Sequence, residues 1–299
     1  MLDERGGKLD LGEELDIGPL GKLPPREECP ICMRVMPIHP KLHAYATCCG
    51  KTICGGCNLQ HIIKSKELAA ESFQTPAPYA CPFCRTVVRR SDEERLAQLR
   101  KRVELKDPTA MWHLSAHYDR GGLGLPVDQA KCIELLRQSS DLGCHSSQYQ
   151  LGYYYHNGEM GLEQNDEEAL NYWGKAAEGG DLMSRHNLGY MACKSDDSVA
   201  AMRHLRLSAS GGHRGSMSII TGFFKEGCIH HADLAETLQA FYRAGAELRS
   251  EERDQFIAYK ERGEVPQILQ QRRNGFREMR QKAERTEILL EIVQLLRAS

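Results

Sequence analysis

Eight of the twelve cysteines lie between Cys29 and Cys84, in the order Cys29-x-x-Cys32, Cys48-Cys49, Cys54-x-x-Cys57 and Cys81-x-x-Cys84. A two-residue spacer in a tight turn aims two thiolates at one ion, and a closed structural zinc site takes four such ligands in a tetrahedron. Eight cysteines therefore suffice for two Zn2+ ions. The remaining four, Cys132, Cys144, Cys193 and Cys228, are scattered and read as small buried residues. The sequence contains no phosphate-binding loop, hydrolase elbow or His-Glu-x-x-His motif, so no catalytic residue is assigned. A thiolate saturated by structural metal offers neither an open position for water nor a nucleophile.

Charge counting agrees with metal. Residues 29–90 carry eight basic and two acidic side chains, an excess that two all-thiolate centres would largely offset. The competing reading is a nucleic-acid patch built from Arg85, Arg89, Arg90, Arg100, Lys101 and Arg102. That stretch lacks the aromatics on which bases stack, so nucleic acid is disfavoured as a partner. The whole chain is close to neutral, with 39 basic and 41 acidic residues, and 299 residues allow about two domains. No basic stretch followed by an apolar run opens the sequence and no 18-residue uncharged segment occurs in it, so a reducing compartment, cytoplasmic or nuclear, is expected and no membrane association.

The elements that position these cysteines follow from composition and period. Residues 1–28 hold eight acidic and four basic side chains, five glycines and three prolines, and are expected to form a disordered acidic tail. The cysteine block occupies 29–90. Ser91-Asp92-Glu93-Glu94 offers an N-cap with an acid three residues on, which predicts a connecting helix over 91–106. Asp107-Pro108 predicts the next helix entry. From there to about residue 247 the chain repeats: Leu114, Leu151 and Leu188 are 37 apart, Ile220 follows after 32, and Gly143, Gly180 and Gly212 each precede the next of these positions by eight. Within the second unit, 146–156 and 166–178 read as a helical hairpin. Gly152, Ala169, Ala176 and Ala177 permit close backbone approach, while Leu151, Tyr155, Tyr172 and Trp173 fill the core. One hairpin cannot cover its own apolar face, so neighbours must stack. Residues 248–299 are expected to be helical, with a break near Pro266 and an apolar surface from Ile288 to Leu296 that caps the last repeat rather than dimerising.

Leu151-Gly152-x-x-Tyr155-x-x-Gly158 and Ala169-x-x-Tyr172-x-x-x-Ala176-Ala177-x-x-Gly180 resemble the Sel-like subclass of tetratricopeptide-type repeats over residues 107–247, with about four units. The third departs from the pattern, with Cys193-Lys194-Ser195-Asp196-Asp197 in place of the glycine loop. The resemblance implies a surface for protein contacts.

The knuckles Cys29-Pro30-Ile31-Cys32 and Cys81-Pro82-Phe83-Cys84-Arg85, at this spacing, resemble a RING-type zinc finger in its all-cysteine variant. The fold class is then mainly α: a small two-zinc cross-brace finger followed by an α-helical hairpin solenoid. The resemblance assigns Cys29, Cys32, Cys54 and Cys57 to one zinc and Cys48, Cys49, Cys81 and Cys84 to the other. Lys51 stands where the commonest pattern has a ligating histidine. Cys48 and Cys49 can share an ion if the backbone turns between them; the alternative is one cysteine with His43 or His61. What the resemblance implies is a ubiquitin ligase that holds a ubiquitin-charged conjugating enzyme through Ile31, Pro82 and His61 or Ile62. Arg85 would bridge enzyme and ubiquitin, and a protein substrate would sit on the repeats. The second reading is a non-catalytic zinc-binding scaffold.

Overall fold

The computed structural model describes residues 15–71, 80–87 and 91–262. In the cysteine block a short antiparallel hairpin, β1 (His43–Ala46) and β2 (Lys51–Cys54), pairs His43 with Cys54 and Ala46 with Lys51 and runs directly into α1 (Gly55–Glu71). Cys29, Met36, Ile53, Cys54 and Cys57 form a small buried core, against which Cys32, Ala44 and Phe83 pack. So few apolar side chains cannot offset the chain entropy of such a block.

α2 (Asp92–Glu104) starts where the capping signal lies, with the Ser91 hydroxyl accepting from the Glu94 N–H at 3.1 Å. Four hairpins follow: α3 (Pro108–Arg120) with α4 (Gln129–Asp141), α5 (His145–Asn157) with α6 (Asp166–Glu178), α7 (Leu182–Lys194) with α8 (Ser198–Ser210), and α9 (Arg214–Lys225) with α10 (His231–Leu248). Asp107, Asp128, Asn165, Asp181 and Asp197 each cap a helix by accepting a backbone N–H, a device recurring at repeat spacing. The third hairpin is joined tightly, from Lys194 to Ser198, as its missing glycine loop predicts.

Close approach at the hairpin crossings depends on glycine. A Cβ on Gly152 would lie 2.5 Å from Trp173 Nε1, and one on Gly189 would lie 2.7 Å from Leu205 Cγ. Leu99, Leu114, Leu136, Leu151 and Tyr154 lie in one buried cluster across α2 to α5; Ala201, Leu205, Ile220, Phe223 and Leu234 lie in a second across α8 to α10.

The tail expectation is corrected for residues 15–28. Ile17 is 3% exposed within the second cluster, the Leu15 N–H donates to the Cys228 carbonyl at 3.0 Å, and Arg206 donates to the Gly18 carbonyl at 2.8 Å. Arg26 continues the attachment by donating to the Gly211 carbonyl at 3.0 Å. Composition averaged over 28 residues hides a single buried isoleucine and the cation that satisfies the carbonyl beside it. Residues 1–14 lie outside the described residues, as do 263–299, on which the capping surface around Ile288 was placed.

The chain forms two compact units, one ending at Arg249 and one beginning at Ser250. The described part of the second is α11 (Glu251–Arg262). No described helix is long and apolar enough to cross a membrane.

Candidate metal centres

Each of the two outer Cys-x-x-Cys pairs sits on the same backbone device. In the first, the Cys29 N–H donates to the Arg34 carbonyl at 2.8 Å and the Met33 N–H returns to the Cys29 carbonyl at 2.8 Å. In the second, Cys81 N–H to Thr86 and Arg85 N–H to Cys81 repeat the pattern at 2.8 and 3.0 Å. Met33 and Arg85 both take the left-handed conformation, at φ 55° and 58°, that closes such a turn. For a non-glycine residue this costs about 1 kcal/mol, and it exposes both side chains.

The remaining ligand pairs come from the hairpin. Cys48 and Cys49 occupy its tip, where the N–H groups of Cys49 and Gly50 both reach the Ala46 carbonyl, at 3.2 and 2.8 Å. The backbone therefore turns between the two cysteines, the condition for both to face one centre. Cys54 ends β2 and Cys57 lies in the first turn of α1.

Two four-sulfur groups result: Cys29, Cys32, Cys54 and Cys57, and Cys48, Cys49, Cys81 and Cys84, with all Sγ atoms of a group within 4.8 Å of one another. Each can hold a metal ion. Within them Cys32 and Cys54 are 3.9 Å apart, Cys49 and Cys81 3.8 Å, and Cys48 and Cys84 3.4 Å. The grouping interleaves, the first and third pairs together and the second and fourth together, so the two centres share the segment 48–57 and together tie it to 29–32 on one side and 81–84 on the other. His43 and His61, the alternative ligands, are turned elsewhere, to the Pro37 carbonyl at 2.8 Å and the Ala80 carbonyl at 2.7 Å.

Crowded thiols resist losing all their protons at once. Burial, then hydrogen bonds and repulsion from the other sulfurs, push Cys48 and Cys57 up. Hydrogen bonds from Thr86 bring exposed Cys84 down to about 6. Burial opposes ionisation of Cys29, but the backbone groups of Cys32, Cys54 and Ile31 outweigh it and hold that thiol at about 7. A dication placed among such sulfurs removes the repulsion that keeps the others protonated.

Of the remaining residues singled out in the sequence, Ile31 is 42% exposed and Arg85 is also exposed. Pro82 and Ile62 are half-buried, and His61 ties α1 to the last knuckle through Ala80. Sequence reasoning missed the seam between finger and repeats. Tyr45 of β1 stacks on His113 of α3 with ring centroids 4.8 Å apart, and its hydroxyl donates to Asp107 at 2.7 Å. Thr47 donates to Gln98 of α2 at 2.8 Å. No motif marks these residues; the capping role of Asp107 was the one visible signal.

Residues 108–144, 145–181 and 183–213 match the family model for the Sel1 repeat. These three segments are Sel1 repeats. The hairpins α3–α4, α5–α6 and α7–α8 correspond to them, and α9–α10 continues the stack beyond the third match. Among solved structures, a Sel1 repeat protein from Oxalobacter formigenes is 23% identical at a TM-score of 0.39, over 42% of this chain and 97% of that one. The protective antigen c5321 of uropathogenic Escherichia coli, described as having an SLR fold, is 20% identical at a TM-score of 0.45, over 67% of this chain and 41% of that one. No curated protein matches the chain.

Proposed function

We propose that the chain is a zinc-dependent RING-type ubiquitin ligase or ligase subunit, with the Sel1 repeats as its protein-binding surface. The observation that carries the reading is the interleaved pair of four-thiol groups. Zinc fits the donor set. A tetrahedron with Zn–S bonds of about 2.3 Å has edges of about 3.8 Å, against sulfur separations of 3.4, 3.8 and 3.9 Å here. When bound, zinc supplies no reaction chemistry and closes the finger, with on the order of 10 kcal/mol of folding free energy per ion.

The chain's own part in ubiquitin transfer is then to hold and orient. Ile31, exposed on the first knuckle, offers an apolar contact to the conjugating enzyme, with half-buried Pro82 from the last knuckle as a second. The exposed Arg85 projects from a turn fixed by its own N–H bond to Cys81, and its guanidinium can donate to two partners at once. His61 is committed to the Ala80 carbonyl, so the helix contribution falls to Ile62.

Reconstitution tests this: purified chain, ubiquitin, activating enzyme and a panel of conjugating enzymes, beside Ile31→Ala and Arg85→Ala. Stimulated transfer by the wild type, lost in both variants with zinc content unchanged, is the expected result. No stimulation with any member of the panel, or full activity in both variants, leaves the non-catalytic scaffold reading in its place.

A further inference from the structure

A repeat in a helical stack touches only its neighbours, so the hairpins at the two ends have the least support. In this chain both ends are held by the finger and the segment before it. Thr47 and Gly50 bracket Cys48 and Cys49, and both face the start of the repeats. Thr47 donates to Gln98 of α2 at 2.8 Å, and a Cβ on Gly50 would lie 2.7 Å from Oδ2 of Asp107, the cap of α3. Tyr45 adds its hydrogen bond to the same Asp107 oxygen at 2.7 Å.

Arg26 and Arg34 bracket Cys29 and Cys32 in the same way, but face the other end. Their knuckle is closed by the Cys29 N–H on the Arg34 carbonyl and the Met36 N–H on the Glu27 carbonyl, each at 2.8 Å. From it Arg34 donates to the Arg249 carbonyl behind α10 at 3.2 Å, and Arg26 to the Gly211 carbonyl behind α8 at 3.0 Å. Pro24 and Ile38 lie against the repeat junctions at Gly180 and Gly212, where a Cβ would meet them at 2.9 and 3.7 Å. A Cβ at Gly143, the junction before α5, has nothing within 4 Å. The cysteine pair that begins each four-sulfur group is thus flanked by contacts to a different end of the repeats.

The core of the finger is too small to fold without metal, so the side chains that reach the repeats are presented together only when the thiol groups are closed. We propose that the finger is a metal-dependent brace joining the two ends of the repeat stack. The Cys48–Cys49 end holds α2 and α3, the Cys29–Cys32 end holds α8 and α10, and metal loss frees both. Coupling between two equilibria is reciprocal, so the same contacts strengthen the hold on each ion. The inference rests on the metal-binding reading of the two thiol groups and is independent of ligase activity.

Two measurements on the full chain test it. In the first, hydrogen exchange is followed by mass spectrometry before and after zinc is stripped with a chelator. Amides of α2, α3 and α8 to α10 should exchange about tenfold faster without metal, and those of α5 and α6 should change least. In the second, zinc is titrated against a chelator at equilibrium, and ions per chain are counted by native mass spectrometry. Tyr45→Phe with Thr47→Val keeps the shape of the hairpin and should lower the chelator concentration that removes one ion about tenfold, leaving the other step in place. Arg26→Ala with Arg34→Ala should move the other step. Circular dichroism establishes that both variants fold. Exchange that is indifferent to metal, equal quickening from α2 to α10, or variants that move the same step or neither overturns the proposal. A chain purified without zinc overturns the metal reading itself, and the brace with it.

Discussion

The Tyr45 hydroxyl donates to Asp107 Oδ2 at 2.7 Å, while Oδ1 of the same carboxylate accepts the Ala110 N–H at 3.1 Å. One side chain thus starts the first repeat helix and holds the hairpin that carries Cys48 and Cys49. Arg102 completes the arrangement, donating to Oδ2 from Nη2 at 2.9 Å. Tyr45→Phe should cost about 1.5–3 kcal/mol, the range for a hydrogen bond to a charged group, with zinc content unchanged. Asp107→Ala should cost more, since it also removes a helix cap and strands Arg102. Chemical denaturation with metal analysis on both variants checks the order.

Two buried histidines set an acid sensitivity. Burial, with His117 adding to it, holds His113 at about 4, and burial with His186 beside it holds His213 at about 4. Both folded values lie below the unfolded value of about 6.5. Above pH about 6.5 both residues are neutral in either state and contribute no pH dependence. Between about 6.5 and 4 the unfolded chain takes up protons that the folded chain refuses, so stability falls by roughly 1.4 kcal/mol per pH unit for each group. Urea unfolding across this window, with zinc measured at each pH to separate metal loss, should show the decline. His113→Phe, which keeps a ring against Tyr45, should make it shallower.

Gly152 and Gly174 make opposite predictions for the same substitution. A Cβ at Gly152 meets the Trp173 indole, whereas one at Gly174 has nothing within 4 Å. Gly152→Ala should destabilise by about 1–3 kcal/mol through overpacking. Gly174→Ala, inside α6, should stabilise by up to about 1 kcal/mol through helix propensity. Thermal unfolding of the two variants side by side gives the comparison, and equal shifts would contradict the packing described.

Ile17 belongs to the core of the last repeats. Ile17→Ala should cost about 2–4 kcal/mol, and hydrogen exchange should quicken at Leu15 and along α8 to α10. A neutral substitution would return residues 15–28 to the tail that their composition suggests.

The sequence makes the repeats legible because a 37-residue period, glycine stops and aspartate caps all report the same hairpin. The Cys-x-x-Cys spacing shows only that the two thiols of each pair can share an ion; which pairs combine is what the resemblance to a RING-type finger implies. The turn between Cys48 and Cys49 is not readable this way: it depends on hairpin register, with Gly50 at φ 73° and both N–H groups on Ala46. The seam at Tyr45, Asp107 and His113, and the strap at Ile17, join residues about 60 to 200 positions apart, and neither local propensity nor periodicity carries information over such separations.

Native mass spectrometry of the intact chain purified with its metal tests the central claim most directly. Two zinc ions per chain are expected, falling to one when Cys48 or Cys49 alone is replaced by alanine and the chain is kept folded at neutral pH. A wild-type chain carrying one ion or none, with the repeats intact by circular dichroism, would contradict the account.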